Sequence, residues 1–379
     1  MIYLDNAATT KIRKKVQRAR NMAEDELFAN TSSLHSFALK AKNLVDESKE
    51  IIAGEINSSI DEIYFTKGAT EANNIAIKSF SGENNIAITS KIEHSSVYES
   101  FRNYPYKDVI FLENDKYGFI DLDDLKNKIN ADIDFVSIIY VNNELGTIQD
   151  IKTISRTIKD INPNTVIHID ATQALGKVNC DVDYLGVDMM SFSAHKFEGP
   201  KGIGGLYIRK KVLGRVKNVL FGGNQQVVSS GTDNHPAIYA MGIALSEKTK
   251  SNELDYIEDL NNYMRELIDE NISDYMINSP DHDCSPYILS VGFKGVKSEV
   301  LLHMLETKEI YVSSGSACAK GDNNRILEAL DRDRDYRDGV IRFSFSKDIS
   351  KEDLEYTVNI LKESIEEIRK VMGWKPYFQ

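Results

Sequence analysis

One lysine lies where its amine could act as a nucleophile. Lys196 stands between an apolar, strand-like run and a glycine-rich turn, and a second strand-like run follows at residues 206–208. Burial at such a place lowers the pKa of a lysine, and the neutral amine can then form a Schiff base. The alternative is a solvated surface charge, which is the commoner state of lysine. The neighbouring Ser193 and His195 suit a phosphate and favour the covalent interpretation.

One cysteine lies in a run of small polar residues. Residues 313–321 read Ser-Ser-Gly-Ser-Ala-Cys-Ala-Lys-Gly, which predicts an exposed, mobile loop around Cys318. An accessible thiolate in such a loop can be a nucleophile, and the alternative is a stray surface cysteine. We expect Cys180 and Cys284 to be structural. The wide spacing of the three cysteines argues against a disulfide framework and against a metal site.

Two charged residues stand next to apolar runs. Asp170 follows the run 166–169, and a carboxylate there needs a cationic or protonated partner. A pyridinium nitrogen would serve, whereas the alternative is an aspartate that caps a helix. Arg342 lies among apolar residues and should pair with an acid or grip a carboxylate. His168, within the apolar run, is predicted to be a core histidine.

A glycine turn leads into a predicted helix. Residues 66–71 read Thr-Lys-Gly-Ala-Thr-Glu after an apolar run, and apolar periodicity continues over 72–80. The start of a helix offers backbone N–H groups and the positive end of a dipole to a phosphate. The alternative is that Thr70 only caps the helix.

Elements that could position these residues follow from the hydrophobic pattern. From about residue 40 to 209, β-branched runs at 61–65, 86–89, 135–140 and 166–169 alternate with helical stretches, which predicts a mainly parallel α/β sheet. Ligands of such sheets bind at the carboxyl ends of the strands. Beyond about residue 254, two amphipathic helices near 254–270 and 351–371 bracket short strands at 287–291 and 340–345, which predicts a smaller α+β domain.

The composition limits the classes of partner. With 379 residues, of which 41% are hydrophobic, the chain can bury a core large enough for one big domain and a smaller companion. A net charge of -12 disfavours direct binding of nucleic acid. The sequence shows no secretory signal and no apolar run that could span a bilayer. Together with the free thiols, this predicts a cytoplasmic protein without a membrane partner.

Taken in order, these segments resemble the cysteine desulfurases of the class V aminotransferase family, of the NifS/IscS type. The matching motifs lie at residues 3–10, 32–35, 68–71, 93–94, 142–146, 170–173, 193–196, 231–232, 313–318 and 342–344. The resemblance implies the fold type I of pyridoxal-phosphate-dependent transferases, an α/β fold with a mainly parallel seven-stranded sheet. The large domain would span 16–252. The small α+β domain would comprise 1–15 and 253–379 and carry the mobile Cys318 loop.

The resemblance also implies a role for each site residue. Lys196 would hold pyridoxal phosphate covalently, Asp170 would pair with its pyridine nitrogen, and His94 would stack on its ring as a further catalytic residue. The other implied contacts are Gln173 at the phenolic oxygen, Asn143 beside cofactor and substrate, Ala69, Thr70, Ser193 and His195 at the phosphate, Thr232 at the phosphate of a neighbouring subunit, and Arg342 at the carboxylate of L-cysteine.

The reaction implied converts L-cysteine to L-alanine. Cys318 would take the sulfur as a persulfide and deliver it to an acceptor protein, either an iron–sulfur scaffold or a tRNA-thiolation enzyme. The unit implied is a homodimer, although residues 224–230 carry no arginine where the family has one. The alternatives are a selenocysteine lyase, an aminotransferase of the same superfamily, or a cofactor-bearing scaffold without turnover.

Overall fold

The structure is a computed structural model that describes residues 1–217, 220–222, 228, 230–314 and 325–374. Cys318 and most of the segment 224–230 lie outside the described residues. The strands are β1 Ile2–Tyr3, β2 Ile63–Thr66, β3 Gly82–Ser90, β4 Tyr106–Leu112, β5 Ile133–Ile139, β6 Val166–Asp170, β7 Met189–Ser193, β8 Gly204–Ile208, β9 Tyr275–Ile277, β10 Ile288–Phe293, β11 Ile310–Tyr311, β12 Ser313–Ser314 and β13 Val340–Ser344.

Helices cover much of the remaining chain. They are α1 Lys14–Glu26, α2 Ser36–Ile56, α3 Ala69–Ser79, α4 Ser95–Asn103, α5 Leu122–Lys128, α6 Ile151–Ile161, α7 Val182–Leu185, α8 Lys210–Leu213, α9 His235–Thr249, α10 Leu254–Asn271, α11 Ser298–Glu306, α12 Arg325–Ala329, α13 Arg334–Arg337 and α14 Lys351–Val371. Two 3₁₀ turns, Ile60–Glu62 and Ala194–Lys196, precede β2 and follow β7.

Seven of the described strands form the large sheet, in the order β2-β8-β7-β6-β5-β3-β4. The pairs from β7 to β4 are parallel, and β8 runs antiparallel to both of its neighbours. Every residue of β6, β7 and β8 is buried, which is typical of a sheet that is covered on both faces. The prediction of a mainly parallel seven-stranded sheet is confirmed.

The prediction of a strand at 61–65 was wrong for its first two residues. Asp61 and Glu62 lie in the 3₁₀ turn, and the strand begins at Ile63. The cause is local, because Ser59 and Glu62 form a capping box in which the Glu62 carboxylate accepts the Ser59 N–H at 3.1 Å. Capping chemistry therefore prevailed over the β-branched pattern.

A second, smaller sheet has the order β12-β13-β10-β9, with all of its described pairs antiparallel. The two long amphipathic helices that were predicted to bracket these strands in the sequence are present as α10 and α14. The buried face of α10 repeats at Ile257, Leu260, Met264 and Ile268, which is helical spacing. Burying each such side chain contributes roughly 1.5–3 kcal/mol.

Two large apolar clusters hold these elements. One comprises buried apolar residues between 16 and 245, and the other comprises Ile2, Leu4 and Ala7 together with apolar residues between 257 and 368. The domain division at 1–15, 16–252 and 253–379 stays a prediction, since a cluster does not fix a boundary. Within the described part of the chain, no helix is long and apolar enough to cross a membrane.

Candidate active site

A cavity of about 1110 Å³ opens at the carboxyl ends of β3, β5, β6 and β7. The strand ends bring together side chains that are far apart in sequence, as expected for a parallel sheet. Ten of the predicted site residues line this cavity: Ala69, Thr70, His94, Asn143, Asp170, Gln173, Ser193, His195, Lys196 and Arg342.

Lys196 ends the 3₁₀ turn that follows β7. Its Nζ donates to the backbone carbonyls of Ala7 at 2.6 Å and Ala8 at 2.9 Å. Burial and the positive charge of Arg342 lower the pKa of Lys196 to about 8, against the opposing effect of Asp170 and other carboxylates. Roughly a tenth of this amine is therefore neutral at pH 7, far more than for an ordinary lysine, and the neutral form can attack an aldehyde.

Asp170 is the last residue of β6 and is 2% exposed. Its Oδ2 accepts from the Asn73 side chain at 2.8 Å, and its Oδ1 accepts from the N–H of Thr172 at 3.0 Å and from the Thr172 hydroxyl. No α-helix begins at Asp170, so the alternative of a helix cap was wrong. These hydrogen-bond donors are all neutral, so the Asp170 carboxylate can still accept a protonated ring nitrogen.

His94 is the N-cap of α4 and follows the carboxyl end of β3. Its Nδ1 accepts the N–H of Ser96 at 3.1 Å and lies 2.8 Å from the Ser96 hydroxyl. Burial lowers the pKa of His94, while the nearby Asp170 raises it less. The imidazole is therefore neutral near pH 7 and suits stacking on a flat ring.

The N-terminus of α3 lies beside the cavity, and Thr70 is not its cap. Gly68 is the N-cap of α3 and supplies no side-chain hydrogen bond, so Thr70 does not cap this helix. The first-turn N–H groups therefore stay available to an anion. His195 Nδ1 lies 3.2 Å from the Thr9 hydroxyl, and burial lowers the pKa of His195 to about 4, so its ring is neutral.

Arg342 lies on β13 and is 5% exposed. Its Nη1 donates to Glu144 Oε1 and to the Asn143 carbonyl, each at 2.9 Å, and its Nη2 donates to Asp5 Oδ1 at 3.1 Å. The expectation that this arginine pairs with an acid is confirmed.

Gln173 holds its side-chain amide between two partners. Its Nε2 donates to the Ala7 carbonyl at 2.9 Å, and its Oε1 accepts from Lys177 Nζ at 3.1 Å. Because Lys196 donates to the same Ala7 carbonyl, the two side chains are fixed relative to each other. The Ala7 carbonyl and Lys177 together orient the Gln173 amide.

Thr232 is not brought to this cavity by its own chain. It is exposed in the loop before α9, and it does not border the cavity. Cys318 lies outside the described residues, so the structure says nothing of its position. Of the other cysteines, Cys180 is buried, and burial raises the pKa of the Cys284 thiol to about 12.

Several residues of the site were missed by the sequence reasoning. Asn73 lies one helical turn after Ala69 and so on the same face of α3, a spacing that could have identified it. Glu144 follows Asn143 directly, but its ion pair with Arg342 joins positions 198 residues apart. Glu93 is fully buried, and burial raises its pKa to about 8. No local pattern in the sequence indicates the ion pair of Glu144 or the burial of Glu93.

The residues present fit pyridoxal phosphate. The cavity offers a partly neutral amine, a buried carboxylate and an uncapped helix start within one space. In addition, Asn143 Oδ1 is buried without a hydrogen-bond partner among the residues that the structure describes. A buried polar atom without a partner is costly, and a bound group could satisfy it.

Comparisons with known proteins agree with this fit. Residues 2–357 match the family described as Aminotransferase class-V. A cysteine desulfurase IscS of Dictyoglomus turgidum is 37% identical over 385 residues, covering 99% of this chain and 97% of that protein. A solved NifS-like protein has a TM-score of 0.89 at 30% identity, covering 97% of this chain and 99% of its own.

A further solved structure is that of SspA in complex with cysteine. It has a TM-score of 0.79 at 29% identity, covering 91% of this chain and 99% of its own. The chain therefore belongs to the aminotransferase class-V family and, within it, to the cysteine desulfurases, which are enzymes that depend on pyridoxal phosphate.

Proposed function

We propose that this chain converts L-cysteine to L-alanine and takes the sulfur onto Cys318 as a persulfide. The observation that carries the proposal is the gathering of Lys196, Asp170, His94, Asn143 and Arg342 around one cavity. Of the three proteins reported above, one is named a cysteine desulfurase, one is named NifS-like and the third, SspA, was solved in complex with cysteine, and none of the three is named a selenocysteine lyase or an aminotransferase.

Each side chain has a task in this reaction. Lys196 would hold the cofactor and, once the substrate amine has replaced it, would remove the substrate's α-proton. Asp170 would keep the ring nitrogen protonated, and Arg342 with Asn143 would orient the substrate. The chemistry supplied by the bound cofactor is an electron sink next to the α-carbon.

The remaining predicted contacts serve the cofactor. Ala69 and Thr70 at the start of α3, together with Ser193 and His195, would hold its phosphate, while Gln173 would reach its phenolic oxygen.

Sulfur transfer requires a thiolate. The Cys318 thiolate would attack the substrate sulfur, so that an S–S bond forms while the bond from carbon to sulfur breaks and its electrons stay on carbon. A proton from solvent would then bind that carbon, and Lys196 would return the α-proton to the α-carbon, which completes L-alanine. The persulfide would pass to an iron–sulfur scaffold or a tRNA-thiolation enzyme.

The proposed unit is a homodimer in the cytoplasm. Thr232 is exposed and away from its own cavity, which fits a contact to the phosphate of a neighbouring subunit. Phe28 at 70%, Leu34 at 103% and Phe221 at 88% exposure are large apolar side chains that a second copy could cover. The cytoplasmic location rests on the sequence pattern alone.

An assay of products tests the activity. The purified holoenzyme should form equal amounts of L-alanine and, with a reductant, sulfide from L-cysteine. Cys318→Ser should abolish sulfide release, whereas the matched Cys284→Ser should retain it, because the high pKa of Cys284 keeps its thiol protonated. Faster turnover of L-selenocysteine, or transamination of an amino-donor and keto-acid pair, would contradict the proposal.

A further inference from the structure

The guanidinium proposed to bind the substrate is already engaged by two carboxylates. Arg342 donates through Nη1 to Glu144 and through Nη2 to Asp5, and its side chain is only 6% exposed. A substrate carboxylate binds an arginine best through two parallel hydrogen bonds. It can therefore use the outer nitrogens of Arg342 only if it shares them with, or displaces, one of these acids.

Geometry distinguishes the two acids. Glu144 borders the cavity together with Asn143, Arg342 and Lys196, whereas Asp5 does not border it. Glu144 Oε1 also accepts from Asn143 Nδ2 at 2.7 Å, so one oxygen joins the two residues proposed to bind the substrate. The position that Glu144 occupies between them is the position that a substrate carboxylate would take.

Charge makes the exchange unfavourable unless a proton accompanies it. The groups that face Glu144 are Arg342 from β13, Asp5 after β1, Lys196 from the 3₁₀ turn and its neighbour Asn143. A third carboxylate added to this cluster would be repelled by the two already present. Burial, followed by the charge of Asp5, already raises the pKa of Glu144 against the opposing effect of Arg342.

We propose that Glu144 is a positioning residue that orients Arg342 and Asn143 before the substrate binds. When the substrate carboxylate binds Arg342, Glu144 gives up its hydrogen bond to Arg342 and takes up a proton. The proton comes from solvent and joins the Glu144 carboxylate, so the net charge of the cluster is unchanged. This inference rests on the proposed function for the identity of the substrate.

The test measures proton uptake on binding. The holoenzyme is titrated with 3-mercaptopropionate, which is L-cysteine without its amino group, by calorimetry at pH 7 in two buffers of different ionisation enthalpy. We expect uptake of about one proton per site for the wild type and about none for Glu144→Gln. The affinity of the wild type should fall as the pH rises, and that of Glu144→Gln should stay level.

Two further variants separate positioning from exchange. Glu144→Gln keeps an oxygen acceptor for Arg342 and Asn143, whereas Glu144→Leu loses it and should bind the probe at least about tenfold more weakly than Glu144→Gln. Asp5→Asn should retain the proton uptake. Uptake that persists in Glu144→Gln, that is missing in the wild type, or that disappears only in Asp5→Asn overturns the proposal.

The outcome does not depend on turnover. The probe has no amino group and is not desulfurated, so a failure of the cysteine assay would leave this result standing. Conversely, an absence of proton uptake would leave desulfuration standing. Thermal melting of each variant shows whether it is folded, and Glu144→Gln alone decides the proposal should Glu144→Leu not fold.

Discussion

At the scale of single residues, the proposed attachment of the cofactor to Lys196 depends on the protonation of its amine. The folded protein lowers the pKa of this amine to about 8, from an ordinary value of 10.5, mainly by burial. Since the neutral amine is the nucleophile, the rate at which apoprotein takes up pyridoxal phosphate should rise about tenfold per pH unit and level off near pH 8.

The control for this prediction removes the cofactor's own titration. Uptake is followed by absorption and divided, at each pH, by the rate of the same reaction with acetyl-lysine, whose amine titrates as an ordinary lysine. This ratio should be level up to about pH 8 and then fall about tenfold per pH unit up to about pH 10. A ratio that stays level over the whole range would show that Lys196 titrates like a surface lysine.

Glu93 gives a second prediction, on stability. Its carboxyl has a pKa of about 8 in the folded protein and about 4.5 when unfolded, because burial disfavours its charge. The folded state therefore keeps a proton that the unfolded state has released. The contribution of Glu93 to the free energy of unfolding is therefore fully present below about pH 4.5 and is lost as the pH rises to about 8.

Replacing Glu93 by Gln removes this titration. The melting temperature of the variant minus that of the wild type should become more positive from pH 5 to pH 8. Over this range the difference in the free energy of unfolding should change by an amount on the order of a few kcal/mol. Glu113→Gln serves as control, because the Glu113 side chain is 55% exposed. A constant difference across this range for Glu93→Gln would contradict the assignment.

At the scale of elements, the strand ends of the sheet were predictable and many contacts between them were not. The runs ending near Asp170 and Lys196 alternate with helices, and parallel pairing then places their ends at one edge. By contrast, the N-cap of α3 is Gly68 and not Thr70, because the backbone geometry decides at which residue the helix begins. The bond from Asn73 to Asp170 depends on how α3 packs over β6, which no local pattern encodes.

Close packing around β8 gives a prediction at this scale. A Cβ at Gly205 would overlap the ring of Phe192 on β7, whereas a Cβ at Gly214 would meet nothing within 4 Å. Gly205→Ala should therefore lower the free energy of unfolding by about 1–3 kcal/mol, and Gly214→Ala should change it little. Denaturant unfolding measures both, and equal midpoints would show that the ring can move aside without cost.

At the scale of the whole molecule, residues from both ends of the chain contribute to one cavity. Ala7 accepts from Lys196, and Arg342 of the small sheet reaches Asn143 after β5. The sequence predicted these residues as a set because the motifs occur in the family's order. The structure adds that Arg342, the proposed substrate-binding arginine, already forms ion pairs with Asp5 and Glu144.

The most direct test of the proposed mechanism locates the transferred sulfur. The holoenzyme is mixed with L-cysteine, alkylated, digested and examined by mass spectrometry. We expect a Cys318 peptide that is heavier by one sulfur atom in the wild type and unchanged in Lys196→Ala. Sulfur on Cys180 or Cys284, or a persulfide on Cys318 that forms without Lys196, would contradict the mechanism.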